Sequence, residues 1–315
     1  MIQDLLTEKL RPKDIRHMIL PSRIKNIFSN GLGHNVLLSG SPGCGKTTLA
    51  KILASPFPHL FINVSDESSV ETIRTKINDF CSTVSILDGV SSKKVVVLDE
   101  FDGASDQFYK ALRGTIEKFA GNTRFVATCN WINKVPDAIQ SRFEVIYFDP
   151  VNQGEEIEMK EEWRNRISLI LGKLSIEIDD DSLSEFEKTY YPDFRSSLNR
   201  IQTWILEGTK KVDLSKVREA GWNYESLYEM IFDSLDPVKN YKIIIGEYSG
   251  KSDEIMSALG GEFIEWIIKN KNTHSKIIPA VVVLVADHQS QRTQVIDPMV
   301  SLLSLVFQIQ KLIHQ

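Results

Sequence analysis

The feature that most constrains this chain is the octapeptide Gly40-Ser41-Pro42-Gly43-Cys44-Gly45-Lys46-Thr47, a complete G-x-x-x-x-G-K-T. Its glycines allow backbone conformations in which successive N–H groups point inward at an anion. A helix starting at the end of the loop adds a favourable dipole. Lys46 is placed to reach terminal phosphates, and the Thr47 hydroxyl to ligate a divalent cation. The context suits that reading, because an apolar run, Asn35–Ser39, precedes the loop and a helical stretch, Thr47–Ala54, follows it. A glycine-rich turn without nucleotide is the plainer alternative. The candidate phosphate-binding residues run from Gly40 to Thr48.

A second motif settles the chemistry further. Val95-Val96-Val97-Leu98-Asp99-Glu100 is an apolar strand ending in two acids, about fifty residues downstream. Asp99 would approach a bound Mg²⁺ ion, partly through water, and Glu100 would orient and polarise a water molecule beside the γ-phosphate of ATP. Alone, such a pair reads as a capped strand; its order and spacing after Lys46 favour ATP hydrolysis. A third strand ends in Ala127-Thr128-Cys129-Asn130. If that strand lies between the other two, the Asn130 amide would sit near the γ-phosphate, although an isolated strand-end asparagine is usually a turn residue. Eleven residues on, Ser141-Arg142-Phe143 reads by itself as a solvated surface pair.

Five short apolar runs alternate with helical stretches over 35–150: Asn35–Ser39, Leu60–Val64, Lys94–Leu98, Arg124–Thr128 and Val145–Phe148. The expected fold is an α/β P-loop core with a mostly parallel sheet covered on both faces. After Pro150 the pattern reads as helices only. The expected domains are an ATPase core at 1–150, a small helical lid at 151–221 and an all-α domain at 222–315. Gly260-Gly261 marks either a helix break or a close packing contact. The 315 residues carry a net charge of −5, so a protein that coats nucleic acid indiscriminately is not expected, and DNA contacts must come from local basic groups. The three cysteines lie far apart, which fits a reducing cytoplasm and excludes a zinc ribbon. No run is long and apolar enough for a bilayer, and residues 1–10 lack a signal peptide's apolar stretch, so a soluble protein without membrane contact is expected.

Several segments together resemble the clamp-loader branch of AAA+ ATPases, including replication factor C small subunits and, more closely, the large subunit of T-even-type phage clamp loaders. Glu8-Lys9-Leu10-Arg11-Pro12 is similar to K-Y-R-P, and Ile19-Leu20-Pro21 follows at the phage spacing. Asn63-Val64-Ser65-Asp66-Glu67 resembles N-A-S-D-E, and Ile73-Arg74-Thr75-Lys76-Ile77 the helix after it. Ala111-Leu112-Arg113 with Glu117 resembles A-L-R-R-x-x-E. Cys129-Asn130-Trp131, Lys134 and Gln140-Ser141-Arg142 keep the C-N-Y…K…Q-S-R spacing, and Pro192-Asp193-Phe194-Arg195 resembles the phage P-D-F-R. The resemblance covers about 8–205.

This resemblance implies that Asn130 and Arg195 sense nucleotide bound in their own subunit, that Arg142 is an arginine finger acting in trans, and that Arg11 and Pro12 lie by the adenine. It implies a helical collar at 222–315 and DNA contacts from Arg74, Lys76, Lys110 and Arg113. The implied partners are further copies of the chain (four in a ring), one distinct subunit, a ring-shaped sliding clamp and primer–template DNA, in a host cytoplasm if the origin is viral. Owning both a complete site and a finger for the neighbour suits head-to-tail repetition. An apolar segment at Phe108-Tyr109, or the first helices, is a candidate clamp-contacting surface. Some positions depart from the pattern. Tyr109 stands where a glutamine often links DNA binding to the catalytic glutamate, Phe143 replaces a cysteine, and Gly114 replaces a basic residue. The alternatives are a branch-migration helicase, a replication initiator, or a mainly structural ring subunit.

Overall fold

The computed structural model describes residues 5–83, 93–218, 224–234, 236–248, 252–291 and 297–314. These fall into two compact units, Met1–Ala220 and Gly221–Gln315. Residues 219–223, where the sequence places the boundary between lid and collar, lie outside the described residues.

The first unit is built on five parallel strands: β1 (Val36–Ser39), β2 (His59–Asn63), β3 (Lys94–Asp99), β4 (Thr123–Cys129) and β5 (Glu144–Tyr147). Their order is β2-β3-β4-β1-β5. The apolar runs are continuous because both faces are covered, and successive side chains enter different cores. Val95 and Val97 of β3 pack on one face with Leu38, Leu49 and Val126. Val96 and Leu98 pack on the other with Leu37, Phe108, Leu112 and Phe125. Strand limits agree with the sequence reading to within a residue or two.

The order has a functional consequence. β4 lies between β1 and β3, pairing Leu38 with Thr128 on one side and Leu98 with Ala127 on the other. The condition attached to Asn130 is therefore met: its strand ends between the P-loop strand and the Asp-Glu strand.

The lid follows β5. Helices Gln153–Lys173, Asp180–Tyr190 and Phe194–Leu206 begin at Asn152, Asp179 and Asp193, each accepting a backbone N–H of the first turn with its side chain. They enclose their own core around Trp163, Phe186 and Trp204, with ring centroids 5.7 and 5.1 Å apart. Two details differ from the expected all-helical lid. Glu177–Ile178 and Lys211–Val212 form a two-residue parallel ladder, too short to leave a periodic signal. Leu6, Leu10 and Ile19, assigned by sequence to the first domain, pack with the lid helices, and Leu6 N–H donates to Gln202 Oε1 at 2.9 Å.

The second unit is helical throughout its described residues, with helices Glu225–Asp233, Pro237–Glu247, Ser252–Gly260, Glu262–Asn270, Ile278–Ser290 and Pro298–Ile313. Asp236-Pro237 and Asp297-Pro298 each open a helix, the acid capping and the proline taking the first turn. Gly260-Gly261 serves both expected purposes. It breaks the helix, and a Cβ at Gly260 would lie 3.1 Å from Val285 Cγ1. No helix among the described residues is long and apolar enough to cross a membrane.

Candidate active site

The loop between β1 and helix Lys46–Ala54 carries positive φ at Gly40, Gly43 and Gly45 (157°, 72° and 101°). The left-handed values at Gly43 and Gly45 are what a side chain resists, and they turn consecutive N–H groups toward one concavity. Lys46 is buried, and its ammonium donates to Gly40 O and Ser41 O, both at 2.7 Å. A buried ammonium held by neutral acceptors of its own loop is poised to exchange them for stronger phosphate acceptors. Thr48 lies in the first helical turn, and Cys44, whose thiol burial pushes up in pKa, stands 3.7 Å from the Lys46 ammonium.

Across the sheet, Thr47 Oγ1 donates to Asp99 Oδ1 at 2.8 Å, joining the end of the P-loop to the end of β3. Thr128, at the end of β4, completes the cluster. Its hydroxyl donates to Asp99 Oδ1 at 2.6 Å and accepts the Glu100 N–H at 3.1 Å. Glu100 is a non-glycine residue in the left-handed region, φ 54° and ψ 45°, with an exposed side chain. Such a backbone costs of order 1–3 kcal/mol and persists where surrounding bonds impose it. Here the Thr128 hydroxyl supplies one such bond. Thr128 escaped the sequence reading, its only signal being a hydroxyl one residue short of a strand end.

Asn130 follows directly. Asp102 accepts the N–H groups of Asn130 and Trp131 at 3.2 and 3.1 Å, tying the turn after β4 to the turn after β3. The structure therefore brings Lys46, Thr47, Asp99, Glu100 and Asn130 together at the C-terminal ends of β1, β3 and β4. Arg195 is exposed in the first turn of lid helix Phe194–Leu206. The preceding Asp193 faces the P-loop so closely that a Cβ on Gly43 would lie 1.7 Å from Asp193 Oδ1. Met18, further along the N-terminal segment, reaches this loop, its Cε lying 3.1 Å from a Cβ built on Gly45. Arg11 pairs with Glu8, and its buried Nε has no partner among the described residues.

Arg142 is not brought into this cluster. Its guanidinium donates to Glu117, with Nε at 3.1 Å from Oε1, and to Ala138 O. That pairing holds the Glu117 carboxyl below its ordinary pKa. Phe143 behind it is buried in the core, 6.1 Å from the Phe101 ring, as a packing replacement should be.

The four basic candidates are all exposed. Lys110 and Arg113 lie on helix Asp106–Lys118, and Arg74 and Lys76 in a π-helical turn, Ile73–Ile77. Ile73, Ile77, Leu112 and Ile116 pack into the same core, so the two helices cover one face of the sheet. Lys76 is paired with Glu67. The proposed clamp contact at Phe108-Tyr109 is a correction: both residues are buried, and Tyr109 OH donates inward to Phe101 O at 2.6 Å. Their apolar character serves the core.

Compared with known proteins, residues 36–151 match the ATPase family associated with various cellular activities (AAA). Replication factor C small subunit of Thermofilum pendens is 32% identical over 213 residues, covering 64% of this chain and 63% of the relative. Replication factor C small subunit 2 of Pyrobaculum arsenaticum is 31% identical over 225 residues, covering 68% and 67%. The match thus spans just under two thirds of the length of the first of these relatives. Two solved variants of RuvB from Thermotoga maritima share the fold at 20% identity over 80% of this chain, covering 86% and 85% of theirs, with TM-scores of 0.53 and 0.52. The sheet order, the phosphate loop, the strand-end acids and this level of identity lead to one conclusion: the chain belongs to the replication factor C small-subunit family of AAA+ ATPases.

Proposed function

We propose that this chain is an ATP-hydrolysing motor subunit of a sliding-clamp loader. ATP binding would assemble a spiral of subunits that opens a ring clamp and grips primer–template DNA, and hydrolysis would release the closed clamp on DNA. The observation that carries the reading is the convergence of Lys46, Thr47, Asp99, Glu100 and Asn130 at the ends of three adjacent strands.

Each residue has a task in this scheme. The P-loop N–H groups and Lys46 hold the phosphates, and Arg195 and Asn130 report on them from the lid and from β4. Thr47 and Asp99 are hard oxygen donors 2.8 Å apart, a fitting pair for Mg²⁺, with Asp99 acting partly through water. Mg²⁺ held there would offset charge developing on the phosphate oxygens. Glu100 orients the attacking water, its exposed carboxylate presented by the left-handed backbone. Arg142 acts on a neighbouring copy's site, Arg11 and Pro12 flank the adenine, and Arg74, Lys76, Lys110 and Arg113 face DNA phosphates. The division into core 1–150, lid 151–221 and collar 222–315, the four copies with one distinct subunit, and a cytoplasmic setting complete the proposal. The phage-like features include the Ile19-Leu20-Pro21 spacing and Pro192-Asp193-Phe194-Arg195.

Steady-state ATPase of the purified chain with its partner subunit tests the proposal. Clamp plus primed DNA should stimulate turnover strongly, and Glu100→Gln or Arg142→Ala should abolish it. Turnover indifferent to clamp and primed DNA, with stimulation by branched DNA instead, would transfer the chain to a branch-migration role.

A further inference from the structure

The phosphate loop is gripped from its outer side by one carboxylate. β5 runs beside β1, so the chain leaving β5 passes the loop leaving β1, and Phe148 N–H donates to Ser39 O at 2.8 Å. The next residue turns its side chain onto the loop. Asp149 Oδ1 accepts both the Ser41 N–H at 3.1 Å and the Ser41 hydroxyl at 2.8 Å. So close an approach needs glycine at 40, where a Cβ would lie 2.7 Å from Phe148 Cβ and 3.4 Å from Asp149 Oδ2.

Ser41 is consequently fixed on both sides. Asp149 holds its N–H and hydroxyl, while its carbonyl accepts the Lys46 ammonium at 2.7 Å. Asp149 is itself anchored. Arg23 Nη2 donates to Tyr147 O at 2.5 Å and Asp149 O at 3.2 Å, and Arg23 Nε pairs with Glu155 at 2.9 Å. Glu155 belongs to the first turn of lid helix Gln153–Lys173, and its other oxygen accepts the Val151 N–H. The segment joining core to lid is therefore clasped at the point where it grips the loop.

We propose that Asp149 is a positioning residue of the nucleotide site, one that sets the Ser41 peptide and thereby the aim of Lys46 before nucleotide arrives. This rests on the ATP-binding reading and deepens it. A loop already ordered spends less of the binding energy on ordering, so the effect falls on nucleotide affinity. Turnover of the bound complex depends instead on Glu100 and the residues around it. The role is one of acceptor geometry, since a negative charge beside the triphosphate is by itself unfavourable. A neutral acceptor of the same shape should serve equally well.

The test is titration of the full-length chain with a fluorescent ADP and a non-hydrolysable fluorescent ATP, together with kcat and KM for ATP. Asp149→Ala should weaken both nucleotides about tenfold and raise KM correspondingly, with kcat within about twofold of wild type, the loss of two hydrogen bonds. Asp149→Asn should match wild type or bind more tightly. Ser41→Ala in the Asp149→Ala background should cost little more than Asp149→Ala alone, because the two share one interaction. Unchanged affinity in Asp149→Ala, additive losses, or an Asn variant as weak as the Ala variant would overturn the proposal. Should Asp149→Ala fail to fold, Asp149→Asn and Ser41→Ala carry the test. Absence of nucleotide binding by the wild type would instead remove the ATP reading, and this inference with it.

Discussion

At the scale of single residues, the site depends on groups that hold the reacting ones. Thr128 bonds Asp99 and the Glu100 N–H with one hydroxyl. Thr128→Val keeps shape and burial but removes both bonds. A hydrogen bond to a charged group contributes about 1.5–3 kcal/mol, so kcat should fall roughly ten- to a hundredfold. Nucleotide affinity, read by titration, should change much less. Gly43 gives a second case. Gly43→Ala meets both a left-handed φ of 72° and the Asp193 carboxylate, so it should weaken nucleotide binding. Adding Asp193→Ala should recover part of that loss in the same titration, because it removes the collision, leaving the φ strain and a lost N-cap on helix Phe194–Leu206. Lys46, Thr47, Asp99 and Glu100 were legible in the sequence because their chemistry requires particular types at a fixed spacing. Thr128, Asp102, Asp149 and Asp193 were not, because a hydroxyl or carboxylate that supports another residue can come from any strand end that folding brings close.

At the scale of elements, the strands were readable because burial on both faces produces uninterrupted apolar runs. Asp193 before Phe194 caps its helix by accepting the Ser196 N–H. Patterns could not show the two-residue ladder of the lid, or the attachment of Leu6 to it, since both arise from contacts distant in sequence. Helix Asp106–Lys118 was readable as a carrier of exposed basic residues, but its inward link was not. Tyr109 OH reaches Phe101 O at 2.6 Å, and the two rings meet edge-on at 5.1 Å, so the helix is fastened to the residue after Glu100. Burial raises the pKa of that phenol above its ordinary value, so it stays a neutral donor across the working range. Tyr109→Phe should therefore cost about 1 kcal/mol of stability and reduce DNA-stimulated turnover more than basal turnover. Thermal melting and ATPase assays with and without primed DNA would read the two effects. In the second unit, the fully buried Asn240 bonds Ser234 and Gln310. Asn240→Leu strands those partners and should destabilise the unit by about 1–3 kcal/mol, visible in a melt of the whole chain.

At the scale of the whole molecule, the central question is whose site Arg142 serves. Within its own chain the guanidinium is paired with Glu117 and donates to Ala138 O, apart from the cluster of Lys46, Thr47 and Asp99. Arg142 keeps the Glu117 carboxyl ionised to lower pH than usual, so the pair contributes above the ordinary carboxylate pKa and is lost only as pH falls through the lowered value. Near neutrality protonation will not release the arginine; a competing anion must. If that anion is the nucleotide of a neighbouring copy, each productive site combines Glu100 of one chain with Arg142 of the next. Glu100→Gln and Arg142→Ala should each be inactive when assembled alone, since an arginine finger contributes about 10³–10⁵ in rate. Mixed one to one before assembly, they should regain activity. In a randomly populated head-to-tail ring, about a quarter of the interfaces join an intact glutamate to an intact arginine, so ATPase should recover toward that fraction of wild type. A finger acting within its own chain predicts no recovery at any ratio, because every subunit in the mixture then lacks one of the two groups.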